Sequence, residues 1–140
     1  MEPDKNKLMN LYPGLLPQEE MVEVKHNRKN FTIGIPRETN FQENRIALVP
    51  DAVGMLCQNG HTVFVENNAG KDAKFSNNEY SDAGAIIKYS TDEVYKSDVV
   101  IKVAPPSLQE IDMMQPRLTL FSVMNMMTQD AEYFRQLSRK

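Results

Sequence analysis

The sequence predicts an α/β fold built on an open, mostly parallel, doubly wound sheet of about five strands. Short runs rich in β-branched and aromatic residues alternate with segments of helical spacing, and glycines, prolines or helix caps separate them. One run, residues 98–103, is almost continuously β-branched, which is typical of a strand buried on both faces. Regular alternation of this kind favours parallel strands joined by helices.

Each predicted strand is bounded by residues that interrupt a ladder or open a turn. The first run stops at Pro36, which has no backbone N–H to donate, and the second follows Gly60. In chain order, the predicted strands are residues 31–35, 61–66, 85–89, 98–103 and 119–124.

Cap residues mark the helices between these strands. Residues 50–59 have helical spacing, and Gly60 after them is a natural left-handed cap. Residues 76–79 and 107–110 both read Ser-x-x-Glu, the pattern of a capping box that opens a helix. We also predict that Gly84 ends the second helix, that Thr91 caps a helix running through Lys96, and that a last helix begins at about Thr128.

Composition excludes several classes of protein. The 41% hydrophobic and 25% charged residues are those of a soluble globular domain. The formal net charge of -3 gives no reason to expect a nucleic acid or an anionic membrane as partner. No apolar run reaches the roughly 18 residues of a membrane span, and there is no signal peptide. The lone Cys57 excludes an internal disulfide framework, so we expect a cytoplasmic protein.

The chain divides into two parts at about residue 30. Residues 1–30 are predicted to be an N-terminal extension, because Pro3, Pro13 and Pro17 interrupt any periodicity. Residues 31–140 contain the α/β domain. Because the last residues continue a helical pattern without a glycine or proline stop, we expect this domain to be incomplete and to belong to a longer protein.

The loop after the first strand carries the first candidate binding residue. In open parallel sheets, ligands bind outside the carboxyl ends of the strands. Arg45, in the charged segment 36–45, would present a planar guanidinium there, able to hold a carboxylate through two parallel hydrogen bonds. The alternative is a solvated loop in which Arg37, Glu38, Glu43 and Arg45 only form ion pairs.

Lys102, at the end of the fourth strand, is the second candidate. A lysine within an apolar run must either extend its head group to water or face a cleft. In a partly apolar cleft its pKa would fall, which suits a group that polarises a carbonyl. The alternative is an edge lysine with a solvated head group.

Several cofactor signals are absent from the sequence. No Gly-x-Gly occurs, so there is neither a dinucleotide fingerprint nor a phosphate-binding loop. His26 and His61 lie too far from cysteines or carboxylate clusters to indicate a zinc site, so no metal is predicted.

Four segments, spread in register over residues 31–125, together match one known pattern. They are Ile-Gly-Ile-Pro-Arg-Glu at 33–38, Glu-Asn-Arg-Ile-Ala-Leu-Val-Pro at 43–50, Asn-Gly-His-Thr-Val at 59–63 and Ile-Lys-Val-Ala-Pro at 101–105. The pattern resembles the N-terminal signature of alanine dehydrogenases and of the alpha subunit of nicotinamide nucleotide transhydrogenase. The resemblance implies a flavodoxin-like or Rossmann-like substrate domain, of which residues 31–140 are the first segment.

The resemblance also implies a function. Arg45 would bind the substrate carboxylate, and Lys102 would be a catalytic and substrate-binding residue near the carbonyl. NAD would be bound by a domain absent from this chain, and the full-length enzyme would convert L-alanine and NAD to pyruvate, ammonia and NADH. We therefore expect this segment alone to be inactive, and the full-length protein to be a homo-oligomer acting on a small-molecule substrate.

Asn125 departs from the pattern. Alanine dehydrogenases carry a proton-transferring histidine at this place, whereas a neutral amide can bind a carbonyl oxygen but cannot deliver a proton near pH 7. Asn125 is therefore only a further candidate for the site. Pro105 and Pro106 also replace the charged residue that many of these dehydrogenases have after the lysine. Two alternatives remain, a segment of an NAD(P) transhydrogenase alpha subunit and a stand-alone, non-catalytic module for small-carboxylate binding or assembly.

Overall fold

A computed structural model describes residues 29–124 and 128–140. In this part of the chain, five strands form one sheet in which every pair of neighbours is parallel, in the order β3-β2-β1-β4-β5. The predicted fold class is confirmed. The strands are β1 (Thr32–Ile35), β2 (Thr62–Glu66), β3 (Ile86–Lys88), β4 (Val99–Ile101) and β5 (Thr119–Phe121).

Helices connect consecutive strands, and the predicted caps account for most of their ends. Both capping boxes are formed, with Ser76 and Ser107 each accepting a hydrogen bond from the backbone N–H three residues later. Gly60 and Gly84 have φ angles of 89° and 98°, as left-handed caps require. The helices are α1 (Pro50–Gln58), α2 (Asn77–Asp82), α3 (Thr91–Tyr95), α4 (Leu108–Met113) and α5 (Ala131–Leu137).

Two predicted helix starts are wrong. The N-cap of α3 is Ser90, while Thr91 is already helical, and its hydroxyl donates to Glu66 Oε1 at 2.8 Å instead of capping the helix. The last helix begins at Ala131 because Asp130 accepts the Tyr133 N–H at 2.9 Å and so ends the preceding segment.

The fourth strand is shorter than predicted. It ends at Ile101 because the backbone N–H groups of Val103 and Ala104 donate to the Glu38 side chain and not to a neighbouring strand. The fifth strand likewise ends at Phe121, before the predicted residue 124.

The helices cover both faces of the sheet. Ile33 and Ile35 point to one face, where they share a buried cluster with Val53 of α1. Gly34, between them, points to the other face, where a Cβ would come within 2.5 Å of the Val94 carbonyl oxygen in α3. This glycine therefore permits close packing of α3 on β1. None of the helices in the described ranges is long and apolar enough to cross a bilayer.

Candidate functional site

The strand order reverses between β1 and β4. The chain adds β2 and β3 on one side of β1, then crosses to place β4 and β5 on the other. The adjacent carboxyl ends of β1 and β4 form the crevice in which ligands bind in open α/β sheets. Two of the three predicted site residues follow these strands, Arg45 in the loop after β1 and Lys102 directly after β4.

The loop after β1, residues 36–49, is fastened to its neighbours near its start. The Arg37 N–H donates to Glu66 Oε2 at 2.9 Å, which ties the loop to the end of β2. Asn40 Nδ2 donates to the Pro105 carbonyl oxygen at 3.3 Å, which ties it to the segment after β4. We call residues 36–49 the Arg45 loop.

Arg45 is exposed and has one glutamate partner. Its Nε and Nη2 donate to Glu43 Oε1 and Oε2 at 2.8 and 2.6 Å, and 74% of its side chain is exposed to solvent. These hydrogen bonds lower the pKa of Glu43 to about 2 and raise the pKa of Arg45. The edge formed by Nη1 and Nη2 makes no hydrogen bond to any described residue beyond the one to Glu43. That edge can receive a second carboxylate.

Lys102 is buried, and 0% of its side chain is exposed. Its Nζ donates to both carboxylate oxygens of Glu110 at 2.9 Å and lies 3.8 Å from Glu38 Oε2. The alternative interpretation, an edge lysine with a solvated head group, is therefore wrong. Its contact with a substrate carbonyl stays a prediction. We call Glu38, Lys102 and Glu110 the buried ion cluster.

Glu38 joins the Arg45 loop to the end of β4. Its carboxylate accepts hydrogen bonds from the backbone N–H groups of Val103 and Ala104, and its side chain is only 5% exposed. Burial raises the pKa of Glu38, whereas the Val103 N–H and the Lys102 ammonium act in the opposite direction. The Glu38 carboxylate thus takes the place of a neighbouring strand as hydrogen-bond acceptor for the backbone just after β4. This position is the switch point, where the strand order reverses between β1 and β4.

Glu110 is the other acidic member, and it belongs to α4. Besides holding Lys102, it accepts the Ser107 N–H at 2.6 Å as part of the capping box. Next to it lies the Tyr95 hydroxyl, which has no hydrogen bond of good geometry within the described ranges. Burial raises the pKa of Tyr95, and the neighbouring Glu110 carboxylate raises it further.

Sequence reasoning did not identify Glu38 and Glu110 as partners of Lys102. Glu38 was interpreted as a loop charge, and Glu110 as a capping residue only. The sequence offers only part of the signal: Glu38 and Lys102 are ionisable residues that closely follow two strands predicted to be parallel, but it does not show that these two strands are neighbours. Asn125, the third predicted site residue, lies outside the described residues.

An open polar groove of about 500 Å³ lies along the Arg45 loop. Glu38 and Glu43 are among the residues that line it, whereas Arg45 and Lys102 are not. Arg37, Asn40, Glu66 and Asp72 also line it. This polar lining suits a small hydrophilic ligand better than an apolar one.

The residues present do not form a dinucleotide site. The Arg45 loop lacks a glycine-rich turn, and Gly34 serves the packing of α3 on β1. No group of three or more His, Cys, Asp or Glu side chains in the described ranges could hold a metal ion.

Comparison with known proteins gives a consistent set of relatives. The family model for the alanine dehydrogenase/PNT N-terminal domain matches residues 34–140. Alanine dehydrogenase 2 of Staphylococcus aureus (strain USA300) is 40% identical over 98 residues, which are 70% of this chain and 26% of that protein. The chain therefore spans about a quarter of the length of this curated relative.

Two solved structures are also similar. An L-alanine dehydrogenase superposes with a TM-score of 0.73 at 37% identity, over 77% of this chain and 30% of that one. A transhydrogenase from Sinorhizobium meliloti superposes with a TM-score of 0.63 at 30% identity, over 66% of this chain and 28% of that one.

Proposed function

Because the chain belongs to the alanine dehydrogenase/PNT N-terminal domain family, we propose that it is the first part of the substrate domain of an alanine dehydrogenase-like oxidoreductase. In the full-length protein, L-alanine and NAD would be converted to pyruvate, ammonia and NADH. The greater similarity to the L-alanine dehydrogenase structure than to the transhydrogenase supports this choice. We propose from family membership alone that the enzyme is a cytoplasmic homo-oligomer.

Arg45 is the residue that we assign to the substrate carboxylate. The observation that carries this assignment is the free Nη1–Nη2 edge of an exposed guanidinium whose other edge is held by Glu43. A carboxylate bound there gains two charge-assisted hydrogen bonds, and Arg45 does not have to leave Glu43.

We propose that Lys102 contacts the substrate carbonyl, as the family resemblance implies. To reach a substrate, the ammonium would have to leave both oxygens of Glu110. The cofactor is likewise assigned to another part of the full-length protein, because the residues described here do not fit a dinucleotide. This segment alone is therefore expected to be inactive.

Steady-state kinetics of the full-length protein test the proposal. We expect Arg45→Ala to lower kcat/KM for alanine and for pyruvate by at least about 100-fold, because the carboxylate loses its paired hydrogen bonds. Arg135→Ala is the matched control, since it removes an exposed arginine that is also paired with a glutamate but lies in α5, and it should stay within about threefold of wild type. Wild-type kinetics for Arg45→Ala would contradict the proposal.

A transhydrogenase alpha-subunit segment is the second candidate. It is favoured by the burial of Lys102 together with the prolines that follow, because the end of β4 then exposes no ionisable side chain for proton transfer. Hydride transfer from NADH to an NADP analogue, without alanine and in complex with a membrane-embedded partner, would support it. The third candidate is a non-catalytic carboxylate-binding module. Isothermal titration calorimetry would then detect pyruvate binding, but the protein would catalyse neither alanine oxidation by NAD nor hydride transfer between nicotinamide nucleotides.

A further inference from the structure

We propose that Tyr80, a buried residue of α2, is a positioning residue for the substrate carboxylate, because its hydroxyl fixes the part of the Arg45 loop that carries the guanidinium. Tyr80 acts through the backbone of the loop and does not itself reach the substrate. The kinetic part of this inference rests on the proposed function, whereas its structural part rests only on contacts among the described residues.

The Arg45 loop consists of two halves joined by a tight turn. The first half is fastened to the ends of β2 and β4. In the turn, the Glu43 N–H donates to the Asn40 carbonyl oxygen at 3.2 Å, and Gln42 has a φ angle of 63°. Arg45 lies beyond this turn, so the second half of the loop needs its own attachment to the domain.

The second half of the loop is attached at Leu48. The side chains of Ile46 and Leu48 are partly buried and pack against the core cluster around β1 and β2. The Leu48 carbonyl oxygen accepts a hydrogen bond from the Tyr80 hydroxyl at 2.8 Å. Leu48 is three residues after Arg45, so at most about 11 Å of chain separates this fixed carbonyl from the Arg45 backbone.

Tyr80 is itself held in one place. Its side chain is fully buried, and its ring packs edge-to-face on Phe75, with 6.4 Å between the ring centroids. A Cβ at Gly70 would come within 2.7 Å of the same ring, so the packing there leaves no room for a side chain. Burial raises the pKa of Tyr80 to about 12, so the hydroxyl remains a donor near neutral pH. The Leu48 carbonyl is therefore bound by a donor whose position the core determines.

The kinetics of Tyr80→Phe in the full-length protein test the positioning role. This change removes one oxygen and keeps the ring, so the loop should loosen while the core stays packed. We expect KM for alanine and for pyruvate to rise about three- to tenfold, with kcat changed by less than about twofold. In an Arg45→Ala background the same change should cause no further fall in kcat/KM, because it acts through Arg45.

Tyr89→Phe is the matched control, since it removes the hydroxyl of an exposed tyrosine, and it should resemble wild type. An unchanged KM in Tyr80→Phe would overturn the proposal. An equal fall in kcat/KM with and without Arg45 would also overturn it, because Tyr80 would then act independently of the guanidinium.

Amide hydrogen exchange tests the structural part without any substrate. The Arg45 N–H donates to Glu43 Oε1 at 3.1 Å in the second half of the loop, and the Arg37 N–H donates to Glu66 Oε2 at 2.9 Å in the first half. In Tyr80→Phe, exchange should accelerate at least about threefold at Arg45 and stay unchanged at Arg37. Unchanged exchange at Arg45 would overturn the positioning role even if the kinetics of Arg45→Ala support the proposed function. Wild-type kinetics for Arg45→Ala would contradict the proposed function and leave this exchange result standing.

Discussion

The two basic residues at the switch point, Arg45 and Lys102, are both paired with glutamates, but in opposite environments. The Arg45 side chain is 74% exposed and that of its partner Glu43 is 13% exposed, whereas Lys102 and Glu110 are only 0% and 6% exposed. An exposed pair contributes little to stability, so its arginine can add or exchange a carboxylate at small cost. A buried pair is costly to separate, because each charge would remain in a medium that solvates it poorly. The same kind of pair therefore leaves Arg45 accessible to a further carboxylate but holds Lys102 in place.

Removing one acidic partner from each pair should produce the largest contrast. We expect Glu110→Ala to lower the free energy of unfolding by about 3–5 kcal/mol, because Lys102 would keep only the distant Glu38 as counter-charge. Glu43→Ala should lower the urea midpoint much less, since the exposed Arg45 stays hydrated without its partner. Urea unfolding curves of both variants and wild type measure the difference. Equal losses of unfolding free energy in the two variants would show that burial does not make the Lys102–Glu110 pair more important for stability than the Arg45–Glu43 pair.

Glu38 and Glu43 should make contributions to stability that change with pH in opposite directions. The pKa of Glu38 is raised in the folded state, so its contribution is present below pH about 4.5 and is lost as the pH rises through the folded pKa. The pKa of Glu43 is lowered to about 2, so its contribution is present above pH 4.5 and is lost as the pH falls toward 2. The reference value for both carboxyls is 4.5.

Two amide variants isolate these contributions. Relative to wild type, Glu38→Gln should gain stability as the pH rises above about 4.5, and Glu43→Gln should gain stability as the pH falls from 4.5 toward 2. Unfolding free energies from urea titrations at several pH values give both differences. Parallel pH profiles for the two variants would contradict the assignment of burial to one site and of ion pairing to the other.

The contacts that could be predicted from the sequence are those between residues close together in the chain. The two capping boxes connect residues three apart, and the sequence predicted both. The pairing of Lys102 with Glu110 spans a turn of eight residues whose path local patterns do not specify. Glu38 and Val103 are 65 residues apart and meet only because β4 pairs with β1. Alternation predicted a parallel sheet but left the strand order undetermined, so this link could not be predicted.

The smallest expected effect concerns Glu43 itself. By holding Nε and one Nη2 proton, Glu43 orients the exposed Arg45 with its free edge outward. Fixing a long side chain before binding lowers the entropy cost of association, so Glu43→Gln should raise KM for alanine by about two- to tenfold with kcat unchanged. Steady-state kinetics of the full-length protein measure this change, with Glu132→Gln as control, since Glu132 forms an exposed pair with Arg135 in α5. A lower KM in Glu43→Gln would instead mean that Glu43 competes with the substrate carboxylate for the guanidinium.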